Sequence, residues 1–155
     1  MNEPVERLDL QAVQASFDRS PYISSLNLTA ESLDHETAEI TVRMPLAPSM
    51  ERRQGTKQFH GGPIAAFIDV IGDYAIGMMV GGGVPTINIR IDYLKPAVGD
   101  SLLAVARVRR HGRTVAVVDI DVADGSRFTR FRVFDAVDSN IDDNGTRLDH
   151  VAGQQ

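Results

Sequence analysis

Apolar positions change their spacing several times along the chain, and each change marks an element. Leu10, Val13 and Phe17 recur at helical intervals in LDLQAVQASFDRSPY and Pro21 closes the segment, so the pattern predicts a short amphipathic helix that packs as a lid or flank. In NLTAESLDHETAEITVRM, Ala38, Ile40, Val42 and Met44 alternate with polar residues beyond an Asp34-His35 turn, the pattern of a strand hairpin. Pro45 to Phe59 is polar and irregular and reads as a loop. His60 to Val80, HGGPIAAFIDVIGDYAIGMMV, is apolar almost throughout and predicts a long helix. Pro63 suits its first turn and Gly81 to Gly83 end it, for about 18 residues and about 27 Å of axis.

Four strand candidates follow: TINIRIDYLKP, DSLLAVARVRR, RTVAVVDIDVAD and SRFTRFRVFDA. They are separated by Pro96 to Asp100, by His111-Gly112 and by Asp124-Gly125, and their succession predicts an antiparallel meander. Thr114, Ala116, Val118, Ile120 and Val122 put an apolar row on one face, which the long helix would cover. Beyond Val137 the chain is polar, acidic and without periodicity, the pattern of a loosely ordered tail. The organisation expected is a helical lead over 1–22, one α+β domain over 23–137 and a flexible tail over 138–155. A helix apolar around most of its circumference leaves surface that one sheet cannot cover, so a homodimer, or a tetramer built from two dimers, is expected.

Composition narrows the class. With 43% hydrophobic and 24% charged residues and a net charge of -5, the 155-residue chain matches one soluble domain and lacks the basic excess that nucleic-acid binding requires. No cysteine is present, which removes disulfides, thiolate metal sites and thiol nucleophiles and fits a cytoplasmic location. The start, MNEPVERLDL, carries three acids and no apolar run, while Asp69 and Asp73 interrupt the longest apolar stretch; neither export nor a membrane partner is expected. His35, His111 and His150 stand in turn or tail contexts with no metal-ligand spacing, so no metal or other cofactor is implied.

One residue conflicts with its surroundings. Asp69 lies in the middle of the apolar helix, and burying a charge costs several kcal/mol unless it is paired, hydrogen-bonded or used. The combination of HGG at His60 to Gly62, an Asp nine positions after the His, and the strand TINIRIDYLKPA running into Gly99-Asp100 resembles the hotdog-fold acyl-CoA thioesterases of the phenylacetate-degradation type, over about His35 to Phe134. That resemblance implies an antiparallel sheet wrapped around one central helix, and hydrolysis of an acyl-CoA substrate to a carboxylic acid and free CoA. It implies that the Gly61 N-H polarises the thioester carbonyl, that Asp69 attacks it or activates water, and that Thr86 helps place the water. It also implies that the residue six before His60, Asn in many members and Gln54 here, adds a second contact to the carbonyl.

Physical chemistry supports these roles beside plainer ones. The first N-H groups of a helix have no internal partner and sit at the positive end of its dipole, so Gly61 and Gly62 suit a developing oxyanion; they would equally ease the turn into the helix. Gly61 and Asp69 are eight residues apart, about 12 Å along a helix, whereas one reacting carbonyl needs donor and acid each within about 3.5 Å. If both act on it, the donor of one subunit faces the acid of its partner across a two-fold axis. His60 reads as an orienting or capping residue, and Thr86 serves equally as a β-branched strand residue.

Asp73 shares the face of Asp69; pairing with a base such as Arg90, or exposure to solvent, would relieve the repulsion between them. The tract Arg107 to Arg113 is either a solvated face or, through Arg109, Arg110 and Arg113, a contact for the CoA phosphates, with Arg52, Arg53 and Lys57 as competitors. Phe67, with Ile71 and Tyr74, is a candidate for the acyl pocket or simply core. Two other functions suit the same residues: a non-catalytic acyl-CoA-binding module, and a hotdog 3-hydroxyacyl-thioester dehydratase using His60 with Asp69.

Overall fold

The structure, a computed structural model, describes residues 6–112, 114–125 and 128–136. Helix α1 (Leu10–Arg19) is capped by Asp9, whose carboxylate accepts the Ala12 N-H at 2.7 Å. Pro21 does end it, and in doing so opens a four-residue helix α2 (Pro21–Ser24), whose first position needs no N-H. The hairpin forms as β1 (Thr29–Asp34) and β2 (Glu39–Pro45). Asp34 closes its turn by accepting the Glu36 and Thr37 N-H groups at 2.8 and 3.3 Å, and those donors hold its carboxyl below the usual range.

The central helix α3 (Gly61–Val80) opens on the two glycines with Pro63 in its first turn and has 20 residues, close to the expected length of about 18. That makes it long and apolar enough, by length and composition alone, to cross a bilayer, contrary to the expectation that its acids leave it too short and polar. Most of that apolar surface is already used here as core. Ile68, Ile71 and Ala75 are fully buried, as are Ile40, Val42 and Met44 on alternate positions of β2. Burying one such aliphatic side chain contributes about 1.5–3 kcal/mol, so the helix and sheet faces hold each other in place. On the other flank α1 lays fully buried Val13 and almost fully buried Phe17 into the same core, and the Phe17 ring meets Tyr74 edge-on at 4.7 Å.

The remaining strands are β3 (Thr86–Arg90), β4 (Ser101–His111), β5 (Val115–Ala123) and β6 (Phe128–Ala136). All six strands form one antiparallel sheet in the order β1-β2-β4-β5-β6-β3. The expected four-strand meander therefore holds only for β4, β5 and β6. β2 occupies the place beside β4, and β3 pairs instead with β6 at the far edge. β3 is also shorter than TINIRIDYLKP: it stops at Arg90, and the chain then leaves the sheet to cross back toward β4. The apolar face of β5 holds from Ala116 on, with Ala116, Val118, Ile120 and Val122 buried, whereas Thr114 is exposed in the turn before the strand.

At its C-terminus α3 closes on Gly81 (φ 83°), and the Gly81 and Gly82 N-H groups both donate to Gly77 O, at 2.8 and 3.2 Å. A Cβ on Gly77 would sit 2.8 Å from the Gly82 carbonyl oxygen, a backbone atom that cannot swing away. Alanine normally stabilises a helix interior by about 1 kcal/mol over glycine. Gly77→Ala is expected to do the reverse, lowering stability by about 1–3 kcal/mol in urea unfolding, because the overlap outweighs propensity. A neutral or stabilising result would mean that this turn yields freely.

Candidate active site

The chain reaches α3 along a pinned path. Phe59 N-H donates to Ala97 O at 2.9 Å and His60 N-H to Met50 O at 2.8 Å, so the residues before the helix are tied to both neighbouring loops. His60 is the N-cap; its Nδ1 accepts the Gly62 N-H at 3.5 Å, which places the ring proton of the neutral form on Nε2. The Gly61 N-H, in contrast, has no acceptor among the described residues. Neither Gly61 nor Gly62 has a positive φ, and a Cβ would meet nothing at Gly62 and only ordinary contact with the Tyr93 ring, at 3.5 Å, at Gly61. Backbone conformation and packing within the chain do not call for these two glycines. They leave room beside the helix N-terminus for a group from outside the chain.

That room is a cleft of about 520 Å³ bordered by Arg52, His60, Gly61, Ile64, Tyr93 and Lys95 among others. Tyr93 comes from the segment between β3 and β4, and its hydroxyl donates to Gly61 O at 3.0 Å, holding the peptide next to the free N-H. Gln54 is exposed and lies outside the cleft wall, whereas Gln58 is part of it. Nothing in the sequence marks Tyr93, because IDYLKP continues the alternation of β3 up to Pro96 while the strand stops at Arg90.

Asp69 is half-buried, two turns further along α3, and its Oδ1 accepts the Thr86 hydroxyl at 2.8 Å. The pairing of these two residues is thus direct. Asp73 does not meet Arg90, whose guanidinium pairs with Asp92 at 3.3 Å. Its partner is a backbone group: Asp73 Oδ1 accepts the Val84 N-H at 2.6 Å. Burial pushes the Asp73 carboxyl up to about 6; the Asp69 charge adds to the rise and the Val84 N-H opposes it.

The expected phosphate contacts are divided. Arg109 is paired with Asp119 at 2.9 Å, and Arg107 with Glu39 and with Asp121. Arg110 is exposed, and Arg113 lies outside the described residues, as do His150 and the tail over 138–155. Lys57 is paired with Asp100 at 2.7 Å, which raises its pKa, and Arg53 is exposed away from the cleft. Arg52 and Lys95 border the cleft and have no ion pair among the described residues. Phe67 is fully buried in the core and does not reach the cleft, and Ile71 and Tyr74 are buried with it.

A carboxyl titrating near 6 when folded and near 3.8 when unfolded binds more protons in the folded state between those values, so stability falls as pH rises through that window. The loss expected is roughly 2–3 kcal/mol, complete above about pH 7. Asn keeps an oxygen for Val84 but cannot ionise. Asp73→Asn should flatten the fall in unfolding free energy measured from pH 4 to 8; parallel curves for the two proteins would contradict this origin.

Comparison with known proteins agrees with the fold. The thioesterase superfamily model matches residues 58–127, from just before the helix N-cap to the β5-β6 turn. The chain is 34% identical over 115 residues to a Halobacterium salinarum protein named as an esterase, covering 71% of this chain and 74% of that one. It is 26% identical over 120 residues to the acyl-coenzyme A thioesterase PaaI of Escherichia coli, covering 77% of this chain and 82% of that one. Among solved structures, a thioesterase of Haemophilus influenzae superposes with a TM-score of 0.74 at 20% identity, covering 96% of this chain and 98% of that one. The chain belongs to the thioesterase superfamily, as a thioester hydrolase with the hotdog fold and of the PaaI-like type.

Proposed function

We propose that the protein hydrolyses an acyl-CoA thioester to a carboxylic acid and free CoA in a site shared between two copies of the chain. The observation that carries this reading is the separation of its two working parts: a free Gly61 N-H at the cleft and an Asp69 carboxylate held by Thr86 about 12 Å further along the same helix. One carbonyl cannot touch both. Two α3 helices running antiparallel about a two-fold axis would bring the donor of each copy opposite the acid of the other. The exposed edge strand β3 supports such pairing, since Ile87 is 61% and nearby Leu94 72% exposed, apolar surface that a second copy would cover.

In this arrangement the thioester oxygen accepts the Gly61 N-H, whose direction Tyr93 fixes through the neighbouring carbonyl. Thr86 donates to Asp69 Oδ1, which leaves the other carboxylate oxygen to take a proton from water. The water oxygen bonds to the carbonyl carbon, the oxyanion collapses, the C-S bond breaks, and the CoA sulfur leaves and takes the proton from Asp69, which restores the carboxylate. His60 serves by orientation: with Nδ1 engaged by Gly62, it caps the helix beside the donor. The proton-shuttling role that a dehydratase would ask of it has no support in that geometry. Arg52 and Lys95, the unpaired cations at the cleft, receive the CoA phosphates in preference to Arg109 and Lys57, whose charges acids already neutralise. A chain without cysteine suits a reducing compartment, and we place the enzyme in the cytoplasm.

Mixing two inactive variants tests the shared site. Asp69→Asn should lower kcat at least about a hundredfold in a thiol-release assay across aryl, short and medium acyl-CoA substrates. Gly61→Pro removes the single N-H at a position where proline suits the first helical turn, and the His60 backbone (φ -71°, ψ 149°) already has the conformation that precedes proline; a loss of about a hundredfold is expected. Unfolded together and refolded at equal amounts, the two should recover about a quarter of wild-type activity, because half the dimers are mixed and each holds one intact site of two. No recovery from refolded mixed dimers would place donor and acid in one chain and end the proposal.

The phosphate assignment has its own readout. Arg52→Glu and Lys95→Glu should each raise KM about tenfold or more with kcat within about twofold, and Arg109→Glu should change neither. The opposite ranking would return the phosphates to the β4-β5 hairpin.

A further inference from the structure

The five residues from Gly81 to Pro85 that join α3 to β3 include three consecutive glycines, the backbone with the greatest freedom to wander. The helix end secures the first two of them through Gly77 O. The strand they lead into is weakly determined: β3 is an edge strand of five residues, paired on one side only, with a register shift between Thr86 and Asn88. Thr86, at the start of the strand, is paired with Asp135 ahead of that shift, so the ladder holds the entry into β3 through one residue and from one side.

Two side chains of α3 meet the returning chain. Asp73 takes the Val84 N-H at 2.6 Å, and Asp69 takes the Thr86 hydroxyl at 2.8 Å. The spacings match: four residues along a helix rise about 6 Å, and two residues of extended chain span about 6.6 Å. The order also matches an antiparallel return, with the acid nearer the helix C-terminus holding the earlier residue. Gly83 lies against the same carboxylate, where a Cβ would sit 3.6 Å from Asp73 Oδ2. We propose that Asp73 is a positioning residue for the active site: by holding the Val84 amide it fixes the entry into β3 so that the Thr86 hydroxyl reaches Asp69. Keeping a half-buried carboxylate there is unfavourable, as its raised pKa records, and the contact to Val84 is what it returns. The proposal rests on the roles given above to Asp69 and Thr86.

Amide hydrogen exchange at Val84 and thiol release from the fastest substrate of the acyl-CoA panel test it together, on Asp73→Ala, Asp73→Asn, Thr86→Val and the double variant Asp73→Ala/Thr86→Val. Val84 should exchange at least about tenfold faster in Asp73→Ala and remain protected in Asp73→Asn, whose side-chain oxygen still accepts. Thr86→Val should lower kcat about tenfold and Asp73→Ala about fivefold, with KM within about twofold, and Asp73→Asn should recover most of that loss. The double variant should be no more than about twofold slower than Thr86→Val, because both substitutions break one contact.

Losses that multiply in the double variant, or an Asp73→Asn as slow as Asp73→Ala, would overturn the proposal. So would loss of Val84 protection in Asp73→Ala with kcat unchanged, a result that leaves the role of Asp69 intact. Full activity in Asp69→Asn would instead remove the active-site reading and this inference with it. If Asp73→Ala does not fold, Asp73→Ser, too short to reach the amide, carries the same comparison.

Discussion

A helix that must be apolar to hold a sheet, yet carries two carboxylates, sets the terms for the rest of this molecule. Ile68, Ile71 and Ala75 leave no solvent on the core side of α3, so Asp69 and Asp73 have to be satisfied on the opposite flank by whatever the chain brings there. It brings its own return. Val84 supplies an N-H and Thr86 a hydroxyl, and with those two bonds the edge strand becomes attached to the helix as well as to β6. Electrostatic need at two positions thereby fixes the location of a strand that its own sequence leaves loosely specified.

The N-terminal end of the same helix meets the reverse problem. Its first donors are unsatisfied by construction, and here the protein satisfies one and leaves one. His60 takes the Gly62 N-H, and Tyr93 anchors the Gly61 carbonyl, so the Gly61 N-H stays open to a cleft and cannot easily rotate away. A donor that is free but immobile suits a developing negative charge better than a flexible one, since no reorganisation is needed when the charge appears. The crossover after Arg90 is what carries Tyr93 there, which ties the unusual place of β3 in the sheet to the quality of the donor.

Much of this was legible in the sequence, for reasons that also explain what was not. Period and punctuation exposed α1, the hairpin closed by Asp34, α3 between its glycines, and the buried row of β5. Alternation says that a segment is a strand and nothing about its neighbour, so β3 was assigned to β4 by proximity in the chain when its partner is β6. The resemblance gives Asp69 and Thr86 roles toward one water, and the fold adds the direct contact between them. The contact of Asp73 has no such signal, because its partner is a backbone amide and every residue has one, whereas a cationic partner such as Arg90 can be read from the sequence. Arg107 and Arg109 read as part of a free charge run, but in the fold Glu39, Asp119 and Asp121 stand beside them on neighbouring strands. Charges far apart in sequence can cancel, and only the register shows it.

The helix also joins fold to chemistry through its length. An acid one turn after the glycines would bring donor and carboxylate far closer within one chain. At eight residues the two are about 12 Å apart, and each end is well built by itself: a fixed donor beside a cleft, and a carboxylate oriented by a hydroxyl. Two well-built halves that cannot meet within one chain are difficult to explain as features of a monomer. A two-fold axis near the exposed edge of β3 would join them twice over, and it would cover Ile87 and Leu94, two of the apolar side chains that folding of one copy leaves in water. The burial that would hold two copies together would be the same event that completes each site.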